Sequence, residues 1–171
     1  MDTIEDKTMN SSFIENMIEH VFVSEMLQEA WINRNHLKLE VLRAEVDDSG
    51  YDIVMTCNNK TRYIQLKTSE LGSSTRIQKM NIALLKKENA CILWIIREKD
   101  DNSKRYKFKY LYFGSQIGEQ FPNIDRFRIA KNARGNANGE KKERPNIRDI
   151  PKTRFKKYDS SSEIFGILFS E

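Results

Sequence analysis

Apolar and polar side chains alternate most clearly between residues 50 and 69, over two short runs separated by Asn58-Asn59-Lys60. Alternation with a period of two is typical of β-strands and consecutive asparagines are typical of a turn, so this segment is predicted to form a β-hairpin. A turn with an even number of residues places Asp52, Gln65 and Lys67 on one face, with Gln65 or Lys67 within about 5 Å of Asp52 between Cβ atoms. The opposite face is apolar and carries Ile53, Met55, Cys57, Ile64 and Leu66.

The segment before the hairpin is predicted to form a helix and a first strand. Residues 12–31 have apolar side chains at helical spacing, and Ser12 and Glu15 match a capping box at the start of that helix. Residues 37–46 alternate in part and favour a strand, although their Leu, Glu and Ala content also suits a continued helix. Residues 47–50, with the sequence Asp-Asp-Ser-Gly, then have the composition of a turn.

The chain after the hairpin is predicted to complete an α/β fold, in which a central mixed β-sheet is flanked by helices. Residues 75–88 are predicted to form the second flanking helix. The apolar run at residues 91–96 indicates a strand buried on both faces, and residues 106–113 alternate as its partner. Residues 115–121 favour a short helix. The apolar residues 164–169 are predicted to return to the core as a last strand or a short helix.

The composition is that of an ordinary globular chain. Its 171 residues include 39% hydrophobic and 32% charged residues, which suits a single domain over residues 1–171 with its own core. No apolar run reaches the roughly 20 residues of a membrane span, and the first ten residues lack the apolar segment of a signal peptide. Cys57 and Cys91 lie in apolar patterns, which favours buried free thiols and a cytoplasmic location.

Positive charge is concentrated in the C-terminal part of the chain. Residues 126–157 carry twelve Lys or Arg and three acids, a net charge of +9, whereas the whole chain carries +4 and the remainder therefore −5. The stretch is predicted to be a basic, loop-rich insert that binds a polyanion, and a solvated basic surface without a partner is the alternative. The residues predicted to contact nucleic acid are Arg128, Arg134, Lys141, Lys142 and Arg144.

The order of residues in the hairpin resembles the core of the PD-(D/E)XK nuclease superfamily, which has the restriction-endonuclease-like fold. Gly-Tyr-Asp at residues 50–52 matches the motif acid, and Gln-Leu-Lys at residues 65–67 matches a (D/E/Q)-x-K element. Two positions depart from the commoner pattern, because Tyr51 replaces the proline of the motif and Gln65 replaces glutamate. The resemblance covers about the first two-thirds of the chain.

The resemblance implies a site for a divalent cation, Mg²⁺, for which Mn²⁺ would substitute. Asp52, the side-chain oxygen of Gln65 and the main-chain carbonyl of Leu66 are the implied ligands. Lys67 is implied to hydrogen-bond the attacking water and to offset the charge that builds up on the phosphate.

Further acids are candidates for the same site. In the resembled family an N-terminal helix often donates a glutamate, and Glu19 matches this position better than Glu15, which the capping box uses. The alternative for Glu19 is a solvent-facing helix charge. If one of the turn aspartates joins the site, Asp48 is preferred over Asp47; otherwise both serve the turn alone.

These features predict a divalent-metal-dependent endonuclease that hydrolyses phosphodiester bonds in DNA. RNA as a substrate and a homodimeric state both remain open, and no membrane partner is expected. One alternative is a nucleic-acid-binding module on the same fold without cleavage activity. Another is a structural domain in which Asp52 and Lys67 form a plain cross-strand ion pair. Family members include restriction enzymes, junction resolvases, repair nucleases and mobile-element nucleases, and the sequence does not choose among them.

Overall fold

The computed structural model of the protein describes residues 10–45 and 48–169. Helix α1 (Ser11–Gln28) continues into a π-helical turn (Glu29–Asn33), and helix α2 (Ser161–Phe169) ends the described chain. Two 3₁₀ turns span Ile82–Lys86 and Lys152–Arg154. The strands are β1 (Leu39–Arg43), β2 (Ile53–Cys57), β3 (Lys60–Glu70), β4 (Ile77–Asn81), β5 (Ala90–Asp100), β6 (Arg105–Gly114), β7 (Ile129–Lys131), β8 (Glu143–Pro151) and β9 (Lys156–Tyr158).

The fold is mixed α/β and is built on a six-stranded sheet with the order β1-β2-β3-β5-β6-β9. Strands β3 and β5 are parallel, with Ile64 beside Cys91, and the other neighbours in this sheet are antiparallel. The predicted central mixed sheet is therefore confirmed. The long apolar run of β5 is buried from Ala90 to Ile96 because both faces of the sheet are covered.

Different layers cover the two faces. Helices α1 and α2 pack on one face, where Ile18 and Phe22 of α1 meet Ile53 and Ile64 of the hairpin. The other face is covered by a second, three-stranded sheet with the order β4-β8-β7 and by the segments around it, through Met80 and other buried residues. Among the described residues, no helix is long and apolar enough to cross a membrane.

The central hairpin forms as its alternation predicts. Cys57 pairs with Lys60, which leaves the two-residue turn Asn58-Asn59, with φ values of 48° and 61°. Two successive positive φ angles are the requirement of a type I′ hairpin turn, and asparagine tolerates them. Ile53 then pairs with Ile64, and continuing this register by one residue brings Asp52 beside Gln65 rather than Lys67.

The predicted helix at residues 75–88 is wrong. This segment forms strand β4 and a 3₁₀ turn, and Met80 of β4 lies opposite Arg148 of β8. An isolated helix of this length is marginal in water, whereas pairing with β8 satisfies the β4 backbone and buries Met80. The second layer on this face is consequently a sheet instead of the expected helix.

Three smaller expectations also fail. Asn10 occupies the N-cap position of α1 without a side-chain cap bond to the described residues, so Ser12 and Glu15 form no capping box. Residues 115–121 form turns rather than a short helix. The basic stretch 126–157 contains β7, β8 and β9, so its loop is confined to residues 132–142.

The last segment forms a helix, which was one of its two predicted outcomes, and a buried arginine holds its end. Arg62 is 0% exposed, and its guanidinium donates to the carbonyls of Ile167 and Leu168 at 3.0 and 2.9 Å. It donates further to the carbonyls of Ser115 and Asn89 at 2.8 and 3.4 Å. Four carbonyl oxygens therefore replace the water that this buried charge loses.

Candidate active site

The main chain delivers Asp52 to the edge of the sheet through a glycine. Gly50 is buried at φ 77°, and a Cβ built on it would lie 3.1 Å from Cβ of Asn81 and 3.2 Å from the main-chain nitrogen of Leu84. Only glycine tolerates both this backbone conformation and this close approach. Two backbone bonds then hold Asp52: its nitrogen donates to the carbonyl of Ile64 at 2.9 Å, and its carbonyl accepts from the nitrogen of Ala44 at 3.0 Å.

The Asp52 carboxylate is oriented by strand β3. The main-chain nitrogen of Leu66 donates to Oδ2 of Asp52 over 2.6 Å. This bond lies beyond the Ile53–Ile64 pair at which the β2–β3 ladder ends, so a carboxylate takes the place of a strand partner. A charge-assisted bond of this length fixes the carboxylate against the open edge of β3.

A cavity of about 260 Å³ lies at this open edge and gathers several of the predicted site residues. Asp52, Leu66, Lys67 and Glu19 all line it, which brings the hairpin together with helix α1. Lys67 makes no ion pair within residues 10–45 and 48–169, so the cross-strand pair with Asp52 is not observed. The cavity is completed by Glu15, Asn16, Thr68, Gln78 and Ile95.

Gln65 does not line this cavity. The residue is only 6% exposed, and its Oε1 atom is buried without a hydrogen-bond partner among the residues that the structure describes. A buried acceptor without a partner costs about 1–3 kcal/mol relative to a satisfied one. A buried acceptor of this kind is accounted for by strain, by a bound water or ion, or by a functional role.

Glu19 is engaged by a cation from the neighbouring strand. Nε of Arg43 lies 2.6 Å from Oε1 of Glu19, and Nη2 of Arg43 lies 2.9 Å from Nδ1 of His20. All three side chains line a second cavity of about 350 Å³, which Asp52 also borders. Glu19 is 19% exposed and therefore faces these two cavities more than open solvent.

Of the two turn aspartates, Asp48 is described and is not brought to this site. Asp48 is exposed, accepts a hydrogen bond from the Ser49 hydroxyl at 3.1 Å and lines neither of the two cavities. Asp47 lies outside the described residues. For Asp48 the structure therefore favours the turn-only alternative.

Two residues reach the site that sequence reasoning assigned elsewhere. Glu15 was assigned to the capping box, which does not form, and it lines the smaller cavity instead. Gln78 was placed on the helix that proves to be β4, and it lines the same cavity from the second sheet. The spacing of Glu15 and Glu19, one helical turn apart, was the signal that both face one way.

The oxygen atoms of the site suit a hard divalent cation. Within the described ranges, no group of three or more His, Cys, Asp or Glu stands close enough to hold a metal ion. The oxygen atoms that could contribute are instead those of the Asp52 and Glu19 carboxylates, both of which already have partners, the amide oxygen of Gln65 and the carbonyl of Leu66. Mg²⁺ prefers oxygen ligands and needs only one or two carboxylates, since waters and a substrate phosphate complete its shell.

The predicted nucleic-acid contacts lie on the second sheet and its loop. Arg134, Lys141 and Lys142 line one open concavity of about 870 Å³ in the loop between β7 and β8. Arg144 lies on β8 opposite Ala130 of β7, and Arg128 precedes β7. All five basic residues are exposed, so their charges are available to a polyanion.

The two thiols of the chain play no part in the site. Cys57 and Cys91 are free and buried. Burial raises the pKa of Cys91 to about 12, and burial likewise raises the pKa of Cys57. Both thiols therefore stay protonated and behave as small apolar core residues.

No protein-family model matches the chain, and no curated protein sequence matches it. The fold and the site define a mixed α/β protein with an acidic, lysine-bearing cavity at the open end of a hairpin. A fold alone does not specify a function, so the functional argument depends on this cavity.

Proposed function

We propose that this protein is a divalent-cation-dependent endonuclease that hydrolyses phosphodiester bonds in DNA, on a restriction-endonuclease-like fold. One observation carries the proposal: Asp52, Lys67 and Glu19 line a single cavity where the β2–β3 ladder ends. Two carboxylates and an ammonium group in that arrangement suit a cation and a phosphate bound side by side.

The order of elements supports the same fold. A helix packs on the sheet and contributes an acid, a hairpin contributes the motif residues, and β3 then gains the parallel neighbour β5. The crossover between β3 and β5 passes through β4 and a 3₁₀ turn. This crossover contains no helix, which departs from the expected second flanking helix.

The chain's own residues have distinct tasks in this proposal. Asp52 and Glu19 would hold the cation, with the amide oxygen of Gln65 and the carbonyl of Leu66 as further ligands, and the Leu66 amide holds Asp52 in place. Mg²⁺ bound there would neutralise phosphate charge and lower the pKa of a bound water. Lys67 donates a hydrogen bond to the attacking water and offsets the charge that develops on the phosphate.

The basic residues of the second sheet supply affinity rather than chemistry. Phosphate contacts from Arg128, Arg134, Lys141, Lys142 and Arg144 would be independent of base sequence and would weaken steeply as salt rises. Arg128 precedes β7, Arg144 lies on β8 and the other three lie in the loop between these strands, and none of the five lines the cavity of Asp52.

The decisive experiment incubates the protein with duplex, single-stranded and branched DNA and with RNA, with and without Mg²⁺ or Mn²⁺. We expect cation-dependent cleavage of DNA that Asp52→Ala and Lys67→Ala abolish while binding, measured by fluorescence anisotropy, stays within a few-fold. Asp101→Ala and Lys109→Ala remove the same charges from exposed positions and should leave cleavage intact. Cleavage by either site variant at the wild-type rate would refute the site. Binding without any cleavage would instead favour a nucleic-acid-binding module.

A further inference from the structure

We infer that Arg43 is a phosphate-binding residue of the candidate active site, and that in the free protein it is held on Glu19. Phosphate and divalent cation would then bind cooperatively, because the phosphate draws Arg43 away from a carboxylate that the cation needs. This inference rests on the proposed nuclease function, and it adds a residue that lies outside the hairpin motif.

The carboxylate of Glu19 lies between Arg43 and the proposed site for the divalent cation. Arg43 is the last residue of edge strand β1, and its guanidinium contacts Glu19 on α1 at 2.6 Å. Glu19 lines both the cavity of Arg43 and the cavity of Lys67, and Asp52 borders both as well. A cation bound between Asp52 and Glu19 would therefore compete with Arg43 for the same carboxylate.

The contact is weak enough to be exchanged. The side chain of Arg43 is 49% exposed, and its other polar contact is the exposed imidazole of His20 at 2.9 Å. Ion pairs with this exposure change an equilibrium constant by only about fivefold or less. A second anion that reaches the cavity can therefore take the guanidinium without disturbing the fold.

A phosphate is the anion that Arg43 is best suited to accept. The planar guanidinium presents parallel N–H donors that match two phosphate oxygens, which a lysine cannot do. The cavity of about 350 Å³ around Arg43 also contains the side chain of Asn16 and opens beside Asp52. A DNA phosphate held there lies next to the cation site and leaves Glu19 to the cation.

Thermodynamic linkage makes this exchange measurable. If DNA releases Glu19 for the cation, DNA tightens cation binding, and the cation tightens DNA binding by the same factor. Removing the Arg43 charge should have two separate effects. Cation affinity of the free protein should rise, because Glu19 loses its competitor, and the tightening by DNA should shrink, because there is no guanidinium left to move.

The test is a calorimetric titration of the full chain with Mn²⁺, with and without a 20-base-pair duplex, in a Lys67→Ala background that prevents cleavage. The variants are Arg43→Met, Arg43→Lys and Lys38→Met. Lys38→Met is the matched control, since it removes an exposed positive charge roughly 16 Å away at the other end of β1. Without DNA we expect Arg43→Met to bind Mn²⁺ about three- to fivefold more tightly than its parent, and Lys38→Met to stay within about twofold.

The results separate the two proposals. Tighter Mn²⁺ binding by Arg43→Met, together with loss of the tightening by DNA, supports the inference; Arg43→Lys should show an intermediate loss because it keeps the charge without the fork. An unchanged Mn²⁺ affinity in Arg43→Met overturns the inference and leaves the nuclease proposal standing. Failure of every protein in the series, including the Lys67→Ala parent, to bind Mn²⁺ with or without duplex overturns both.

Discussion

Replacing Gln65 with methionine tests whether its buried amide oxygen is kept for a ligand. Methionine has a similar length and no strong hydrogen-bonding group, so it fills the same space without leaving an acceptor unpaired. Oε1 of Gln65 is buried and has no hydrogen-bond partner in the described part of the chain. Removing such an atom returns part of a penalty of about 1–3 kcal/mol. We therefore expect Gln65→Met to stabilise the cation-free protein by roughly 1–2 kcal/mol.

The assay is thermal unfolding followed by circular dichroism, with and without Mg²⁺. For a chain of this length 1 kcal/mol corresponds to roughly 2–4 °C in Tm, so the variant should melt about 2–8 °C higher than wild type without cation. Wild type should gain about 1.4 kcal/mol at a cation concentration ten times Kd, and the variant should gain clearly less. Gln65→Met should therefore have a higher Tm than wild type without cation and a smaller increase in Tm on adding Mg²⁺.

Gln120→Met is the matched control, because its side chain is exposed and its replacement should change stability by less than about 0.5 kcal/mol. A variant at position 65 that melts lower than wild type and keeps the full Mg²⁺ response would refute the reasoning. In that case the amide oxygen has a stabilising partner in solution and takes no part in cation binding.

Three further outcomes follow from the structure. Gly50→Ala should cost about 1–3 kcal/mol and impair cation binding, whereas Gly72→Ala, which has φ 83° and open space around it, should cost less by denaturant unfolding. Arg62→Met should lower the free energy of unfolding by about 3 kcal/mol, because four carbonyls lose their hydrogen-bond donor. Arg76→Met, at an exposed position, should change it by almost nothing. Equal losses of stability in the two variants would contradict this. Both thiols should resist Ellman's reagent at pH 8 until the protein is unfolded. Burial raises the pKa of Cys91 to about 12, above the value of about 8.5 expected in the unfolded chain. The contribution of Cys91 to the free energy of unfolding is therefore complete below about pH 8.5 and is lost as pH rises toward 12. Urea unfolding midpoints at about pH 8 and about pH 11 measure this loss.

Local sequence patterns were sufficient to predict the central hairpin and strand β5. The period of two, the pair of asparagines and the requirement that apolar side chains share one face together specify the pairing of Ile53 with Ile64. For β5, an unbroken apolar run has few ways to be buried other than at the centre of a covered sheet. These elements depend on residues that lie close together in the chain, which is why the sequence alone predicts them.

The second sheet depends on partners that lie far apart in the chain. The apolar positions of residues 77–84 fit a helix as well as a strand, and the choice is made by β8, which begins at Glu143. The same error hid Gln78, since its place at the cavity follows from β4. Arg62 was also missed, because an arginine in an alternating strand is ordinarily exposed and its four carbonyl acceptors come from distant segments.

Three features that break local rules lie close to Asp52. Gly50 is pressed against Asn81 in a left-handed conformation, and an amide oxygen of Gln65 is buried without a described partner. Lys67 is half-buried beside them without an ion pair among the described residues. In a purely structural hairpin the unpartnered oxygen of Gln65 and the half-buried charge of Lys67 are costs that substitution would remove. These features lie near the point where Asp52 meets the open edge of β3, and they support the proposed cation and phosphate site over a solvated ion pair.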